Sequence, residues 1–412
     1  MFTNTFPFGK NSEKSFLSNE LPFLNNKFDS VTIIPIELNS LDNAAENIMT
    51  EMSLAIELKR TVRRRLVFLA LTSFIFYNEL LSKRIWFWNK FRLKRLIYLA
   101  GKTVVVKRWF LQHYFEYYSN DKPIILYTYW CSFVTAALCD LLTQKKNIKI
   151  VTRVHGYDLY EERYNGYIPF QKKIVKSTDK VFSVSSAGRI YLINKYPDFK
   201  HKVIVSYLGV RKAISLSKHS IDGILRIVSC SNLVKLKRVD LIIEGIKSYC
   251  IKYNQKAIWT HFGDGELSDE IQCLAKQSKS KLFNYSFKGF VSNDKLLKYY
   301  QDNPVDIFIN TSETEGLPVS IQEAQSFAIP VIGTDVGGLS EIVNGKVGVL
   351  LSENPKPIEI ADAINSIICQ KEKFINMKQN SQLNWADKFD STKNYNVFIK
   401  ELESLIEKQC SH

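Results

Sequence analysis

The sequence predicts an α/β protein made of two doubly wound domains, and three observations predict it. The chain has 412 residues, beyond the roughly 250–300 at which one hydrophobic core stops growing. Short runs rich in Val, Ile, Phe and Tyr alternate with longer segments whose apolar residues recur at helical spacing, the pattern of parallel sheets with helical crossovers. That pattern is laid down twice, once in each half. Apolar residues make up 45% of the chain, so both halves can build cores.

In the first half, strands are expected at SVTIIPIE (30–37), PIILYTYW (123–130), IKIVTRVHG (148–156), KVFSVSS (180–186) and KVIVSYLGV (202–210). Residues 44–120 interrupt them with apolar residues at 3.6-type spacing and few turn signals, an expected helical insertion. The polar stretch RKAISLSKHSIDG (211–223) is the expected linker, dividing a domain at 1–212 from a second at 213–390. Beyond it, strands are expected at LRIVSCSNL (225–233), AIWTHFGDG (257–265), FNYSFKGF (283–290), VDIFINTS (305–312), IPVIGTD (329–335) and VGVLLS (347–352). The last segment, 391–412, reads as a helix around NYNVFIKELESLIEK that packs back towards the first domain.

The net charge of +15 is concentrated. Residues 59–108 hold 14 Lys and Arg against one acid, Glu79, and carry Trp86, Phe87, Trp88 and Phe91, with Trp109 and Phe110 at the edge. Cations interleaved with aromatics suit an anionic membrane surface or nucleic acid; no nucleic-acid motif accompanies them, which favours the membrane. A solvated basic helix face is the alternative. The longest apolar run there, LVFLALTSFIFY, has 12 residues, short of the roughly 20 of a membrane-spanning helix. Seven scattered cysteines without a C-x-x-C pair point to reduced thiols. The N-terminal MFTNTFPFGKNSEKSF lacks the charged and apolar regions of a secretory signal, so a cytoplasmic setting is expected.

In doubly wound sheets ligands bind beyond the carboxyl ends of the strands. His155 falls there after IKIVTRV, as do Gly263 and Gly265 in HFGDG and the stretch ETEGLPVSIQEAQS (313–326). Pro318 suits the first turn of the helix that VSIQEAQSFA begins. The N–H groups of the Gly316, Leu317, Pro318 and Val319 region, with the helix dipole, then face an anion such as a diphosphate. Glu315 stands before this helix and Glu323 about one and a half turns inside it, able to hold hydroxyls of two parts of one ligand. Alone, the E-x7-E spacing fits equally an acid favoured by the dipole and a solvated one.

The next segment, IPVIGTDVGGLSEIV (329–343), extends the pattern into a buried strand, a Gly-Gly turn and a short helix. From about 224 to 351 the chain resembles the retaining glycosyltransferases of the GT-B fold, family 4, with EGLPVSIQEAQSFAIPVIGTDVGGLSEIV as the specific core. The resemblance implies two Rossmann-like domains facing each other across a cleft, the first for the acceptor and the second for a nucleotide sugar. In SCSNLVKLKRVDLIIEGI (229–246), Lys237 takes the position of the family's diphosphate-contacting lysine. Many members carry an arginine where this chain has Asn232, and Arg238 is the expected second cation. HFGDGE matches the family's G-x-G turn, and FKGFVSNDKLLKYY its base pocket, with main-chain groups near Phe290 and Val291 meeting the base.

In the first half, TNTFPFGKNSEKSFLSNEL resembles the family's glycine loop, with Gly9 approaching the donor phosphate or the acceptor. TRVHGYDL resembles its His-Gly element, whose histidine, here His155, contacts the donor sugar. Only Met1 and Phe2 precede that loop, where the family has its first strand.

The activity so implied is transfer of a sugar from a UDP- or GDP-linked donor to a glycan or lipid-linked acceptor in surface polysaccharide synthesis, with retention of configuration and no metal or cofactor. Glu315, His155 and Lys237 are the catalytic set, and Glu323 holds the ribose. A glycoside hydrolase or phosphorylase using Glu315 and Glu323 as acid and nucleophile, or a catalytically silent assembly protein that binds sugar or a membrane surface, are the other readings.

Overall fold

All eleven expected strands form, and a twelfth joins them. The computed structural model describes residues 1–8, 12–38, 48–82, 89–114, 123–142 and 147–410. They form two units, Met1–Ser206 with Tyr395–His412, and Tyr207–Asn394.

The first unit contains β1 (Phe2–Thr3), β2 (Ile34–Pro35), β3 (Ile124–Thr128), β4 (Ile148–Val154), β5 (Lys180–Ser183) and β6 (Val203–Val205), in the order β2-β1-β3-β4-β5-β6. The second contains β7 (Ile224–Cys230), β8 (Lys256–Phe262), β9 (Phe283–Phe287), β10 (Ile307–Asn310), β11 (Val331–Thr334) and β12 (Gly348–Leu351), in the order β12-β11-β10-β7-β8-β9. Every pairing between these strands is parallel. Burial on both faces explains the apolar run Ile307–Phe308–Ile309 of β10. Ile227, Trp259 and Ile307 sit in one core there with Ile243 and Ile360 of the covering helices.

The shortest strands are those the sequence marked least clearly. β1 pairs through Phe2 with Ile34 on one side and Thr128 on the other. Only two residues of the expected 30–37 run form β2, which ends on Pro35, a residue with no N–H for a ladder.

The expected linker is part of the second unit. The Ser217 N–H donates to the Phe327 carbonyl at 3.1 Å, and Ser220 donates from its N–H and hydroxyl to Asp306 at 2.8 and 2.6 Å. Asp306, though an acid inside the strand run, is thereby satisfied and fixes the segment. The division between units falls at Ser206/Tyr207. The C-terminal helix Ser391–Cys410 places Phe398, Ile399 and Leu402 in the first unit's core with Leu17, Tyr127 and Phe182.

The insertion is helical, as its periodicity requires. After α1 (Ser12–Asn25) come α2 (Ser53–Arg60), α3 (Arg63–Leu71), α4 (Phe74–Ser82) and α5 (Lys90–Tyr114). α3 and α4 are bent by 70°. The break falls at Ser73, whose N–H and hydroxyl both donate to the Ala70 carbonyl at 3.0 and 2.7 Å, the acceptor that the Phe74 N–H would use in a continuing helix. Among the described residues no single helix is long and apolar enough to cross a membrane. Trp109 and Phe110, grouped by sequence with the membrane-facing aromatics, are core residues instead, and the Trp109 indole donates to Ser53 Oγ at 2.7 Å. Trp86, Phe87 and Trp88 lie outside the described residues.

Candidate functional site

In the second sheet the strand order reverses between β7 and β10, which are neighbours although two strands separate them in sequence. Their following loops diverge there, opening a crevice at the carboxyl edge. Lys237 comes from the loop after β7 and Glu315 from the loop after β10. The Lys237 ammonium donates to Glu315 Oε1 at 2.5 Å, and the same oxygen accepts from Ser312 Oγ at 2.6 Å and Asn310 Nδ2 at 3.3 Å. A charged pair at a switch point is thus held by two further donors from its own loop.

Arg238 has a different role from the expected one. Its Nε donates to the Thr311 carbonyl at 2.7 Å, one terminal nitrogen to the carbonyls of Ser312 and Glu353 at 3.1 and 2.8 Å, and the other to Asn354 Oδ1 at 3.1 Å. The guanidinium is a brace between loops, so Lys237 remains as the cation facing Glu315. The backbone at Arg238 is left-handed, with φ of 46°, unusual for a residue with a Cβ. Thr311 Oγ1 also donates to the carbonyls of Lys237 and Arg238 at 3.2 and 2.9 Å. These contacts lock the turn that aims Lys237.

The glycines act first through packing. A Cβ on Gly263 would lie 1.9 Å from the Ser231 carbonyl oxygen, and one on Gly265 2.4 Å from that of Leu233, because the loops after β7 and β8 run against each other. The Leu233 N–H donates to the Asp264 carbonyl at 3.0 Å, and Gly263 N–H to Gly289 at 2.9 Å, just before exposed Phe290 and half-buried Val291. Gly337, from the Gly-Gly turn, has φ of 57°, and a Cβ there would lie 1.9 Å from the Glu315 carbonyl oxygen. The Gly338 N–H donates to the Gly316 carbonyl at 2.9 Å. The turn after β11 is therefore a backstop for the Glu315–Gly316 backbone, a role that sequence reading did not assign.

The helix behind this loop runs Val319–Ser326, so Pro318 is its cap residue, in extended conformation, rather than its first helical residue. Gly316 and Leu317 lead into it, and the Leu317 side chain is buried. Glu323 is buried on this helix and accepts from Asn293 Nδ2 at 2.5 Å. Asn293 begins the helix that follows Phe290 and Val291, so the expected base-lining segment and the expected ribose carboxylate are joined. Nothing in the spacing of the sequence singled out Asn293. Burial pushes the Glu323 carboxyl up to about 7, against the lowering effect of the Asn293 amide.

A carboxyl raised in the folded state stabilises the fold at low pH and loses that contribution as pH rises from its unfolded value of about 4.5 through 7. Glu323→Gln should therefore gain stability relative to the wild type by roughly 2–3 kcal/mol between pH 4.5 and 8. Urea unfolding at a series of pH values checks this; a wild-type-to-variant difference that does not change with pH refutes it.

In the first unit, the strand order reverses between β1 and β3. Glu13, at the start of α1, is buried and gathers both loops: it accepts from the N–H groups of Asn4, Thr5 and Phe6 at 2.8, 2.7 and 3.0 Å and from the Trp130 indole at 2.7 Å. Sequence reading passed over Glu13, since only the topology brings residues 4–6 and 130 together. Trp130 and Tyr129 pack on His155, with ring centroids 4.2 and 4.8 Å away. His155 follows β4 and is buried, with both ring nitrogens lacking a hydrogen-bond partner. The Asp158 carboxylate accepts from the His155 main-chain N–H at 2.5 Å and the Cys131 N–H at 2.7 Å, fixing the backbone, and its Oδ2 lies 3.8 Å from His155 Nδ1. Gly9 lies outside the described residues.

Two parallel sheets of these orders, with their carboxyl-edge sites, define a GT-B protein. The fold is that of a lipopolysaccharide outer core galactosyltransferase solved without ligand, with a TM-score of 0.66 over 97% of this chain and 99% of that one, at 14% identity. Residues 215–384, within the second unit, match the model of the family glycosyl transferases group 1. An uncharacterised glycosyltransferase of Methanocaldococcus jannaschii is 29% identical over 235 residues, 56% of this chain and 62% of that protein. A putative colanic acid biosynthesis glycosyltransferase of Salmonella typhimurium is 26% identical over 221 residues, 50% and 52% of the two chains. The alignments thus span between about half and two thirds of these relatives' lengths.

Proposed function

We propose that the protein is a retaining glycosyltransferase that moves a sugar from a UDP- or GDP-linked donor to a glycan or lipid-linked acceptor in the synthesis of a surface polysaccharide. The observation that carries this reading is the Lys237–Glu315 pair at the β7/β10 switch point, backed by Glu323 eight residues further on. The surface-polysaccharide setting is supported by the colanic acid and lipopolysaccharide enzymes that the chain resembles.

The reaction develops negative charge on the departing diphosphate and positive charge at the anomeric carbon. The Lys237 ammonium meets the first, together with the N–H groups and dipole at the start of the Val319–Ser326 helix. Glu315 meets the second and, by pairing with Lys237, keeps the ammonium in place before the donor arrives. Glu323 takes the ribose hydroxyls. His155, buried with no hydrogen bond on either ring nitrogen among the described residues, holds a hydroxyl of the donor sugar. The Lys237 ammonium and the helix start do the work of a divalent ion in this reading, which makes the reaction metal-independent. A glycosidase would need both carboxyls in one reacting pair; the two glutamates have separate commitments, Glu315 to Lys237 and Glu323 to Asn293.

The protein works at the inner face of the cell membrane, as its basic insertion suits. Thermal unfolding with UDP, GDP and their sugar conjugates tests the reading. A donor at about 100 times its dissociation constant adds roughly 2.7 kcal/mol of stability. One nucleotide class should stabilise the protein, and added chelator should leave the shift and the transfer rate unchanged. Stabilisation by none of them overturns the transferase reading, and a rate that collapses with chelator overturns metal independence.

A further inference from the structure

The bent pair α3–α4 turns an apolar stripe outward on each helix. On α3 the exposed residues Arg64, Val67, Phe68 and Leu71 fall at i, i+3, i+4 and i+7, while Leu66, Leu69 and Ala70 face the core. On α4, Phe74, Tyr77, Asn78 and Leu81 repeat that spacing, while Ile75 and Phe76 face inward. Phe68 is 65% exposed, Phe74 78%, Leu81 71%, and Phe91 in the first turn of α5 73%. Singly exposed apolar residues are ordinary, but two aligned stripes of them flanking one bend are not. The bend is braced, since the Tyr77 hydroxyl donates to the Leu71 carbonyl at 2.8 Å.

The charge around these stripes has one sign. Arg63, Arg64 and Arg65 open α3, and Lys59 and Arg60 close α2. Glu79, the one acid of residues 59–108, is turned inward, accepting from the Tyr167 hydroxyl at 2.9 Å and the Phe170 N–H at 3.1 Å. Beside α3 a cavity of about 660 Å³ has an apolar lining that includes Ile36, Leu58 and Leu66, with Lys59, Arg63 and Lys102 at its polar positions. Among the described residues none of these three cations has an ion-pair partner. Glu37 is the one acid in the lining.

We propose that α3 and α4 form a bilayer-docking surface, in which the two apolar stripes enter the interface and an anionic phospholipid headgroup seats in the cavity of Lys59, Arg63 and Lys102. The three cations, without ion-pair partners among the described residues although Lys102 also lies over the Tyr98 and Phe133 rings, suit the phosphate, and the exposed phenylalanines supply the buried area that charge alone lacks. The inference deepens the membrane reading given above and is independent of the Lys237–Glu315 pair, which lies in the other unit.

Co-sedimentation of the full chain with vesicles of phosphatidylcholine alone, or mixed with phosphatidylglycerol, tests it. Binding should be at least roughly tenfold tighter to the mixed vesicles. The double variant Phe68→Ser, Phe74→Ser should lose about tenfold in binding to mixed vesicles, with thermal unfolding unchanged because both side chains are already in water. Arg63→Gln with Lys102→Gln should bring binding to mixed vesicles close to that for phosphatidylcholine alone. If the wild type does not prefer mixed vesicles, docking and the membrane reading both fall. If it does, and the phenylalanine variant binds as well as the wild type, docking through α3–α4 is overturned while the membrane reading stands.

Discussion

Lys237→Ala is expected to lower kcat by about 10²–10³-fold. The ammonium is the cation that the structure leaves facing Glu315 once the guanidinium of Arg238 is committed to three carbonyls and Asn354. Its removal takes away charge stabilisation that grows as the sugar–phosphate bond breaks, so turnover should suffer more than donor binding. The fold should tolerate the change, since Glu315 keeps Ser312 and Asn310 as donors and both partners of the ion pair retain contact with water. Lys237→Arg should not restore the rate, because a planar fork cannot occupy the place of a compact ammonium. Steady-state kinetics and a melting curve decide it; a kcat within threefold of the wild type refutes it.

Gly337→Ala is the second large effect. The left-handed φ of 57° costs an alanine about 1 kcal/mol, and its Cβ would overlap the Glu315 carbonyl oxygen at 1.9 Å. Both partners are backbone, so neither can rotate away. The turn must shift, and Glu315 and Gly316 shift with it. A displacement of about 1 Å at a reacting group costs on the order of 10²-fold in rate. Gly345→Ala is the matched control, since a Cβ there meets nothing within 4 Å and its φ is not left-handed. Transfer rate and thermal unfolding should both drop for Gly337→Ala and stay level for the control; equal activities would remove the backstop role.

The centre of the second sheet was legible because β10 and β11 are buried along their whole length and read as apolar runs. Glu315 stood out because it follows a strand end, where the topology concentrates ligands, Glu323 through its spacing from Glu315, and Lys237 through the family resemblance alone. What escaped were features set by contacts between distant segments. Nothing local distinguishes the bracing Arg238 from its neighbour Lys237; four acceptors from other loops do. Gly337 looked like one more turn glycine until the Glu315 backbone was found against it. Glu13 is an ordinary helix-start acid in sequence, and the pairing of β1 beside β3 turns it into the knot that ties residues 4–6 to Trp130. β1 is too short for periodicity to detect, and the cations around Trp109 and Phe110 point to the surface although both side chains are buried.

The first unit takes part of its core from the far end of the chain. Phe398, Ile399 and Leu402 pack with Leu17, Tyr127 and Phe182, some two hundred or more residues upstream. During synthesis the usual order, in which the amino-terminal domain folds first, is therefore reversed. Residues 207–394 can complete their sheet while the first sheet still waits for the helix that carries Phe398, Ile399 and Leu402.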